Sequence, residues 1–367
     1  MAGIYIHIPF CHSKCAYCDF YSMPLRNERD FISSLENEYY SRKSEITQPI
    51  RTIYLGGGTP SCLTQDSLVR IFNFLAVEDA EEITIEINPE DATDNFICWL
   101  KKHTPVNRVS MGVQSMNDRE LTIIGRRHSA TQAIEAATAL LNNGFNLSLD
   151  LIYGLPEQTI DSWESSLEAI LELNPHHLSC YLLSFEPGTR LTAMKQTGKV
   201  SEVSDVVAKE MYNLLCEKAQ LYGYEHYEIS NFAREGFHSR HNSSYWNMTP
   251  YLGLGPGAHS FDGAIRRYNP GNLKDYISCR GIGFTVTEPE NLIEQYNDFI
   301  ITSLRTKHGL DLNLCEELYG QEFRVFIEET AHKYLSEGIM WKNSNHVGIV
   351  ANHWLTSDSI MLDFIKI

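Results

Sequence analysis

Six short runs rich in β-branched residues, at positions 4–8, 52–55, 83–88, 108–114, 146–153 and 177–184, alternate with amphipathic stretches at 30–44, 65–76, 131–143 and 162–173. Turn signals such as Gly56-Gly57-Gly58-Thr59-Pro60 and Asn142-Asn143-Gly144 separate them. Strand-length runs divided by helical periodicity and glycine-rich turns describe repeated βα units. Such units predict a parallel sheet, because each crossover helix carries the chain back to start the next strand in the same direction. Periodicity leaves open whether the sheet is flat or curved into a partial barrel. Either form places ligands at the carboxyl ends of its strands, so residues there are the first functional candidates.

The rhythm changes after residue 190. A helix is expected over 204–222, followed by a Gly-, Tyr-, His- and Asn-rich stretch through His259 that reads as further sheet and loops closing one side of the core. From about Glu290 the pattern is helical again (292–307, 312–319, 323–337), with a short strand at 347–350 and a final amphipathic stretch. Three segments are expected: 1–190, 191–285, and a small helical domain with a β-wing at 286–367, joined through Gly281-Ile282-Gly283. A winged-helix shape often contacts DNA, but this one carries Glu316, Glu317, Glu322, Glu328, Glu329 and Glu337. The whole chain has 47 acidic against 30 basic residues, a formal charge of -17, which is repelled by phosphate backbones and anionic lipid surfaces. Nucleic acid is therefore not expected as a partner. No apolar run approaches the ~20 residues of a spanning helix, and the amino terminus has no basic start; a cytoplasmic protein is expected.

Three of the nine cysteines crowd into Cys11-His-Ser-Lys-Cys15-Ala-Tyr-Cys18, directly after the first predicted strand. The other six are scattered and read as small buried hydrophobes. Three thiolates on one strand-end loop suit an iron–sulfur cluster or zinc. A zinc site would take a fourth ligand from His7, His12 or Asp19. A cubane cluster held wholly by protein needs four cysteines, whereas three leave one iron open to another ligand.

The run Tyr5-Ile-His-Ile-Pro-Phe-Cys11-x3-Cys15-x2-Cys18-Asp19-Phe20 resembles the radical S-adenosylmethionine (SAM) enzymes, and among them the coproporphyrinogen dehydrogenase branch. The resemblance extends along most of the chain. It implies a partial (β/α)6 barrel with a small helical, winged-helix-like carboxyl-terminal domain. It also implies a [4Fe-4S] cluster on Cys11, Cys15 and Cys18, with SAM on the open iron. Positions similar to the family's SAM contacts are Tyr5, Gly57, Gly58, Thr59, Glu86, Gln114, Arg126 and Asp150. His259, in a glycine-rich loop, is similar to one that approaches SAM in relatives. Tyr17, Gln114, Arg126 and Asp150 resemble the set that holds a second SAM in some members, so one or two molecules are expected.

Two features separate the chain from the oxidative decarboxylase of that branch. Phe20 stands where the decarboxylase carries a fourth cysteine, and the cluster motif begins ten residues from the start, without the decarboxylase's long leading extension. Both features, and the run Cys-Asp-Phe-Tyr-Ser, resemble the HemW-like haem chaperones. So does His241-Asn242-x2-Tyr245-Trp246. The resemblance implies haem bound through His241, with Tyr245 and Trp246 as flat supports and Arg240 near a propionate. It further implies delivery of haem to acceptor haemoproteins, with respiratory acceptors at the inner membrane and cluster-linked dimerisation. The alternative is decarboxylation of coproporphyrinogen III or another radical reaction on a tetrapyrrole.

Overall fold

The computed structural model describes all residues, 1–367. Six parallel strands stand side by side in chain order: β1 (Ala2–Ile8), β2 (Ile50–Gly57), β3 (Glu82–Ile87), β4 (Arg108–Gln114), β5 (Asn146–Tyr153) and β6 (His177–Leu182). The predicted strands coincide with these within a few residues. Crossover helices follow the capping chemistry of the sequence. Ser129 accepts the Gln132 amide to start the helix Ala130–Asn142, and Thr159 accepts the Ser162 amide to start Ile160–Glu172. Both complete reciprocal capping boxes, satisfying amides that the first helical turn leaves bare.

Alternation within each strand sorts the side chains into two layers. Ile83, Ile85, Ile87, Val109, Met111, Val113, Leu147, Leu149 and Leu151 are buried in one large apolar cluster beneath the helices. Truncating a side chain from that layer, such as Leu149→Ala, costs about 2–5 kcal/mol. The intervening residues Thr84, Glu86, Arg108, Ser110, Ser148, Asp150, His177 and Ser179 alternate with these and so face the opposite side. Most of these polar side chains are themselves buried, Thr84, Ser148 and His177 fully so; since buried polar groups require hydrogen-bond partners, the polar set marks this interior as a place for hydrogen bonds and ligands.

The sheet continues beyond the six strands. β7 (Glu225–Glu228) and β8 (Asn231–Ala233) form a hairpin against β6. On the other flank β9 (Tyr251–Leu254) runs parallel to β1 and is followed by β10 (His259–Phe261), β11 (Arg266–Tyr268) and β12 (Val286–Glu288), giving twelve strands. Between β8 and β9, where further sheet and loops are expected from the sequence, the chain makes a short helix, Arg240–Trp246. The carboxyl-terminal part has helices Leu292–Leu304, Leu312–Tyr319 and Gln321–Ser336. Its antiparallel wing has β15 (His346–Ile349) between β13 (Leu310–Asp311) and β14 (Met340–Asn343). Tyr296, Phe299 and Ile300 belong to the same apolar cluster as the sheet. No helix is long and apolar enough to cross a membrane.

Candidate functional site

The carboxyl ends of β1–β6 surround a cavity of about 460 Å³. Its first wall is the loop after β1. That loop is pinned by paired backbone bonds, Cys11 N–H to Met23 O and Met23 N–H to Pro9 O, both 2.9 Å, and by Ala16 N–H to Ile124 O at 2.8 Å. These hold Cys11, Cys15 and Cys18 at the cavity, each partly exposed and unpaired. Thr59 donates to Cys11 Sγ and Arg126 to Cys15 Sγ, both at 3.5 Å. Burial pushes the Cys18 thiol up to about 11 and raises Cys11 as well, so metal binding at these thiols must displace protons. No three His, Cys, Asp or Glu side chains converge on a single-ion site. A cluster suits such spacing, because each thiolate takes its own iron.

The glycine loop forms the second wall. Gly58 donates its amide to Ile8 O at 2.8 Å and Thr59 to Phe10 O at 2.6 Å, clamping the loop onto the end of β1. A Cβ on Gly58 would lie 2.4 Å from the Phe10 carbonyl oxygen, so backbone alone fits there. Glu86 accepts the Tyr54 hydroxyl at 2.8 Å and the Gly57 amide at 3.1 Å. Burial outweighs these bonds and pushes its carboxyl up to about 7.

The third wall comes from β4, β5 and the segment after β4. Gln114 has a left-handed backbone, φ 70°, where β4 bulges against β5. Arg126 donates to Asn88 Oδ1 at 2.7 Å and to the Gly112 carbonyl, while its Nε is buried without a partner. Asp150 accepts the Ser110 hydroxyl at 3.2 Å, and burial pushes its carboxyl up to about 6. Behind it Ser148 Oγ lies 3.4 Å from Asp150 Oδ1 and 2.8 Å from His177 Nδ1, and His177 Nε2 is 2.8 Å from the Tyr227 hydroxyl. A continuous hydrogen-bonded line thus leads from the cavity into the sheet interior.

Eight of the ten predicted SAM contacts line this cavity: Tyr17, Gly57, Gly58, Thr59, Glu86, Gln114, Arg126 and Asp150. Tyr5 and His259 do not. Tyr5 lies further back on β1, its hydroxyl 3.2 Å from His7 Nδ1 and its ring beside Tyr54 and His241. His259 opens β10 on the surface, stacked on Tyr268. His241, the residue expected at haem, packs against β1 and β2 beside Gly3 and Thr52. It is 1% exposed, with Nδ1 2.9 Å from Thr52 Oγ1 and Nε2 3.0 Å from the Tyr245 hydroxyl. Both ring nitrogens are therefore engaged in this conformation, and burial with the Arg108 charge lowers the imidazole to about 3. Arg240 pairs with Glu81 at the surface.

The sequence reading missed Asn88, Ser110 and Ser184 on the cavity wall and Tyr54, Ser148 and His177 behind it. For Ser110, Ser148 and His177 the polar residues at every second position of β4, β5 and β6 were the available signal.

A sequence profile of the Radical SAM superfamily matches residues 5–170. The heme chaperone HemW of Bacillus subtilis is 33% identical over 95% of this chain and 94% of its own length. The chain belongs to the HemW family of radical SAM proteins. Among other HemW relatives, the heme chaperone HemW of Synechocystis is 36% identical over 79% of this chain and 75% of its own length. A mitochondrial radical S-adenosyl methionine domain-containing protein 1 of Danio rerio is 35% identical over 84% of this chain and 74% of its own length. The fold is shared with the solved coproporphyrinogen III oxidase (HemN) of Escherichia coli, at TM-score 0.83 and 23% identity over 100% of this chain and 90% of that one. Membership in a radical SAM family implies a [4Fe-4S] cluster and SAM, and the donor set fits: three thiols and a carboxylate-and-glycine wall face one cavity.

Proposed function

We propose that this protein is a haem chaperone that carries a [4Fe-4S] cluster, SAM and haem, and hands haem to acceptor haemoproteins. The observation that carries this reading is the 33% identity along 95% of the chain to a protein named heme chaperone HemW. Cys11, Cys15 and Cys18 would hold the cluster. Gly57, Gly58, Thr59 and Glu86 would seat the SAM amino group, with Arg126, Gln114, Asp150 and Tyr17 around the remainder. When bound, the cluster supplies one electron to SAM. The chain's own part is to orient the ligand and exclude water. Glu86 fixes an ammonium by a charge-assisted bond, and Arg126 places a fixed positive charge beside Cys15.

Respiratory haemoproteins at a membrane are the proposed acceptors, a cytoplasmic location follows from that role, and dimerisation at the cluster face belongs to the same reading. The test is haem transfer. Reconstituted protein loaded with haem is mixed with an apo-haemoprotein, and the acceptor's haem spectrum is followed with and without SAM. Transfer faster than from free haem supports the proposal; none defeats it. Anaerobic incubation with coproporphyrinogen III, SAM and reductant checks the alternative, and formation of protoporphyrinogen would make the protein a decarboxylase instead.

A further inference from the structure

Strand register gathers three serines around Asp150. Ser110 on β4 stands opposite Ser148 on β5, and Asp150, two residues on from Ser148, stands opposite Ser179 on β6. Residues two apart share a face, which brings the hydroxyls to one carboxylate. Ser110 Oγ is 3.2 Å from both carboxylate oxygens, Ser148 Oγ is 3.4 Å from Oδ1, and Ser179 Oγ is 3.4 Å from Ser148 Oγ. An ionised carboxylate only accepts hydrogen bonds, whereas the protonated acid donates one. A serine hydroxyl suits either form, so the serines alone do not decide which one faces the cavity.

The decision is made behind them. Ser148 stands opposite His177, with Oγ 2.8 Å from Nδ1, and His177 Nε2 is 2.8 Å from the Tyr227 hydroxyl. The Tyr227 oxygen accepts the Ser239 amide at 3.3 Å, and a backbone N–H can only donate. The phenolic hydrogen therefore points to His177 Nε2. In the reverse arrangement Nε2–H and the Ser239 N–H would both face one oxygen, and the phenolic hydrogen would have no acceptor. His177 is fully buried, and burial with the Arg108 charge holds its imidazole neutral, well below the usual range. A neutral imidazole that accepts at Nε2 carries its proton on Nδ1, so Nδ1–H donates to Ser148. The Ser148 hydrogen is left to point to Asp150, directly or through Ser179. One backbone amide thus sets the direction of every hydrogen in the line.

We infer that His177 and Tyr227 are positioning residues for SAM: the fixed tautomer of His177 turns the Ser148 hydroxyl onto Asp150, so that the carboxylate meets the ligand as an ionised acceptor. The inference rests on the reading of Asp150 as a SAM contact. Neither ring lines the SAM cavity, so both act through Ser148. The other charged and titratable groups around Asp150 and His177 are Tyr54 on β2, Glu86 on β3, Arg108 on β4, Cys180 and Tyr181 on β6, and His238. Arg126 lines the same cavity as Asp150. None of these is hydrogen-bonded to Ser148 or His177, which leaves Tyr227 to orient the line.

The experiment uses full-length, cluster-reconstituted protein carrying isotope-labelled histidine, with His177→Gln to assign the His177 signal. Magnetic resonance of the wild type should show a neutral His177 with its proton on Nδ1. Calorimetric titration with SAM then compares wild type, Tyr227→Phe, Ser148→Ala and the double variant, with iron content and circular dichroism verifying that each is folded. Each single variant should weaken SAM about threefold to tenfold, the worth of one hydrogen bond. The double variant should lose no more than either single one, because both cut the same line. Loss of a donor favours the protonated acid, so the deficit relative to wild type should be larger below about pH 6 than well above it. Glu86 is intact in every protein compared, and its own pH dependence cancels in that ratio. A wild-type proton on Nε2, additive losses in the double variant, or unchanged affinity in the folded variants would overturn the inference and leave the SAM site standing. A wild type that takes no SAM would overturn both.

Discussion

Glu86 and Gly57 meet at the strand ends: the carboxylate of β3 accepts the backbone N–H of β2 at 3.1 Å. Burial pushes that carboxyl up to about 7, so near neutral pH a substantial fraction is protonated. An ammonium pairs with the ionised form alone. SAM affinity should therefore strengthen as pH rises through about 7, each bound molecule releasing a fraction of a proton. In the ligand-free protein the sign is opposite for stability. A carboxyl whose folded value is raised stabilises at low pH and loses that contribution as pH rises from its unfolded value through about 7. Calorimetric titration of SAM across this range checks the first, and thermal unfolding across the same range the second. Glu86→Gln should flatten the binding profile and weaken SAM about tenfold or more.

Gly58→Ala should disturb the cluster loop. Its Cβ would meet the Phe10 carbonyl oxygen at 2.4 Å, and that atom is backbone with no rotamer to relieve the clash. Overpacking of this kind costs about 1–3 kcal/mol. The expected result is a lowered melting temperature and incomplete cluster reconstitution, read from iron content and visible absorbance.

Cys15→Ala should abolish the iron–sulfur chromophore after anaerobic reconstitution, because two thiolates do not anchor a cubane. The Arg126 guanidinium, which donates to Cys15 Sγ at 3.5 Å, also loses an acceptor. A variant with full iron content and unchanged absorbance would refute the cluster assignment.

Gln114→Gly should separate stability from binding. The left-handed backbone at φ 70° is strained for glutamine and free for glycine. Relief of about 1 kcal/mol should offset most of glycine's extra unfolded-state entropy. Chemical denaturation should show a change within about 1 kcal/mol of zero, while SAM affinity falls for want of the carboxamide.

Glu38→Ala should be among the most damaging substitutions outside the cavity. Its buried carboxylate accepts from Arg42 at 2.7 Å, Asn269 at 2.7 Å, Tyr276 at 2.6 Å and the Gly255 amide at 2.9 Å. Removing it takes the acceptor from the Tyr276 hydroxyl and the Gly255 N–H and leaves Arg42 with Glu45 as its one carboxylate partner, at 2.9 Å; each buried donor left bare costs about 1–3 kcal/mol. Urea unfolding of the variant measures it.

Reading the chain in order located the six parallel strands and the cysteine loop, because both are local. Alternation in Ile83-Thr-Ile-Glu-Ile and the spacing of Cys11, Cys15 and Cys18 are complete within a few residues. The same locality placed Gly57, Gly58, Glu86 and Asp150 at strand ends, where parallel topology brings them to one cavity. It did not reveal that Gln114 bulges into the left-handed region, since that depends on how β4 registers against β5. It also left the direction of His241 open. Seven residues of helix, Arg240–Trp246, present polar and aromatic groups on every side, and pattern alone favours no face. Packing against the strand that carries Thr52 buried the imidazole, and packing against the carboxyl-terminal helices set Trp246 on a second cavity. Local periodicity and spacing thus determined the elements and the thiol cluster. The direction of each functional ring was decided only when residues distant in the chain competed to bury it.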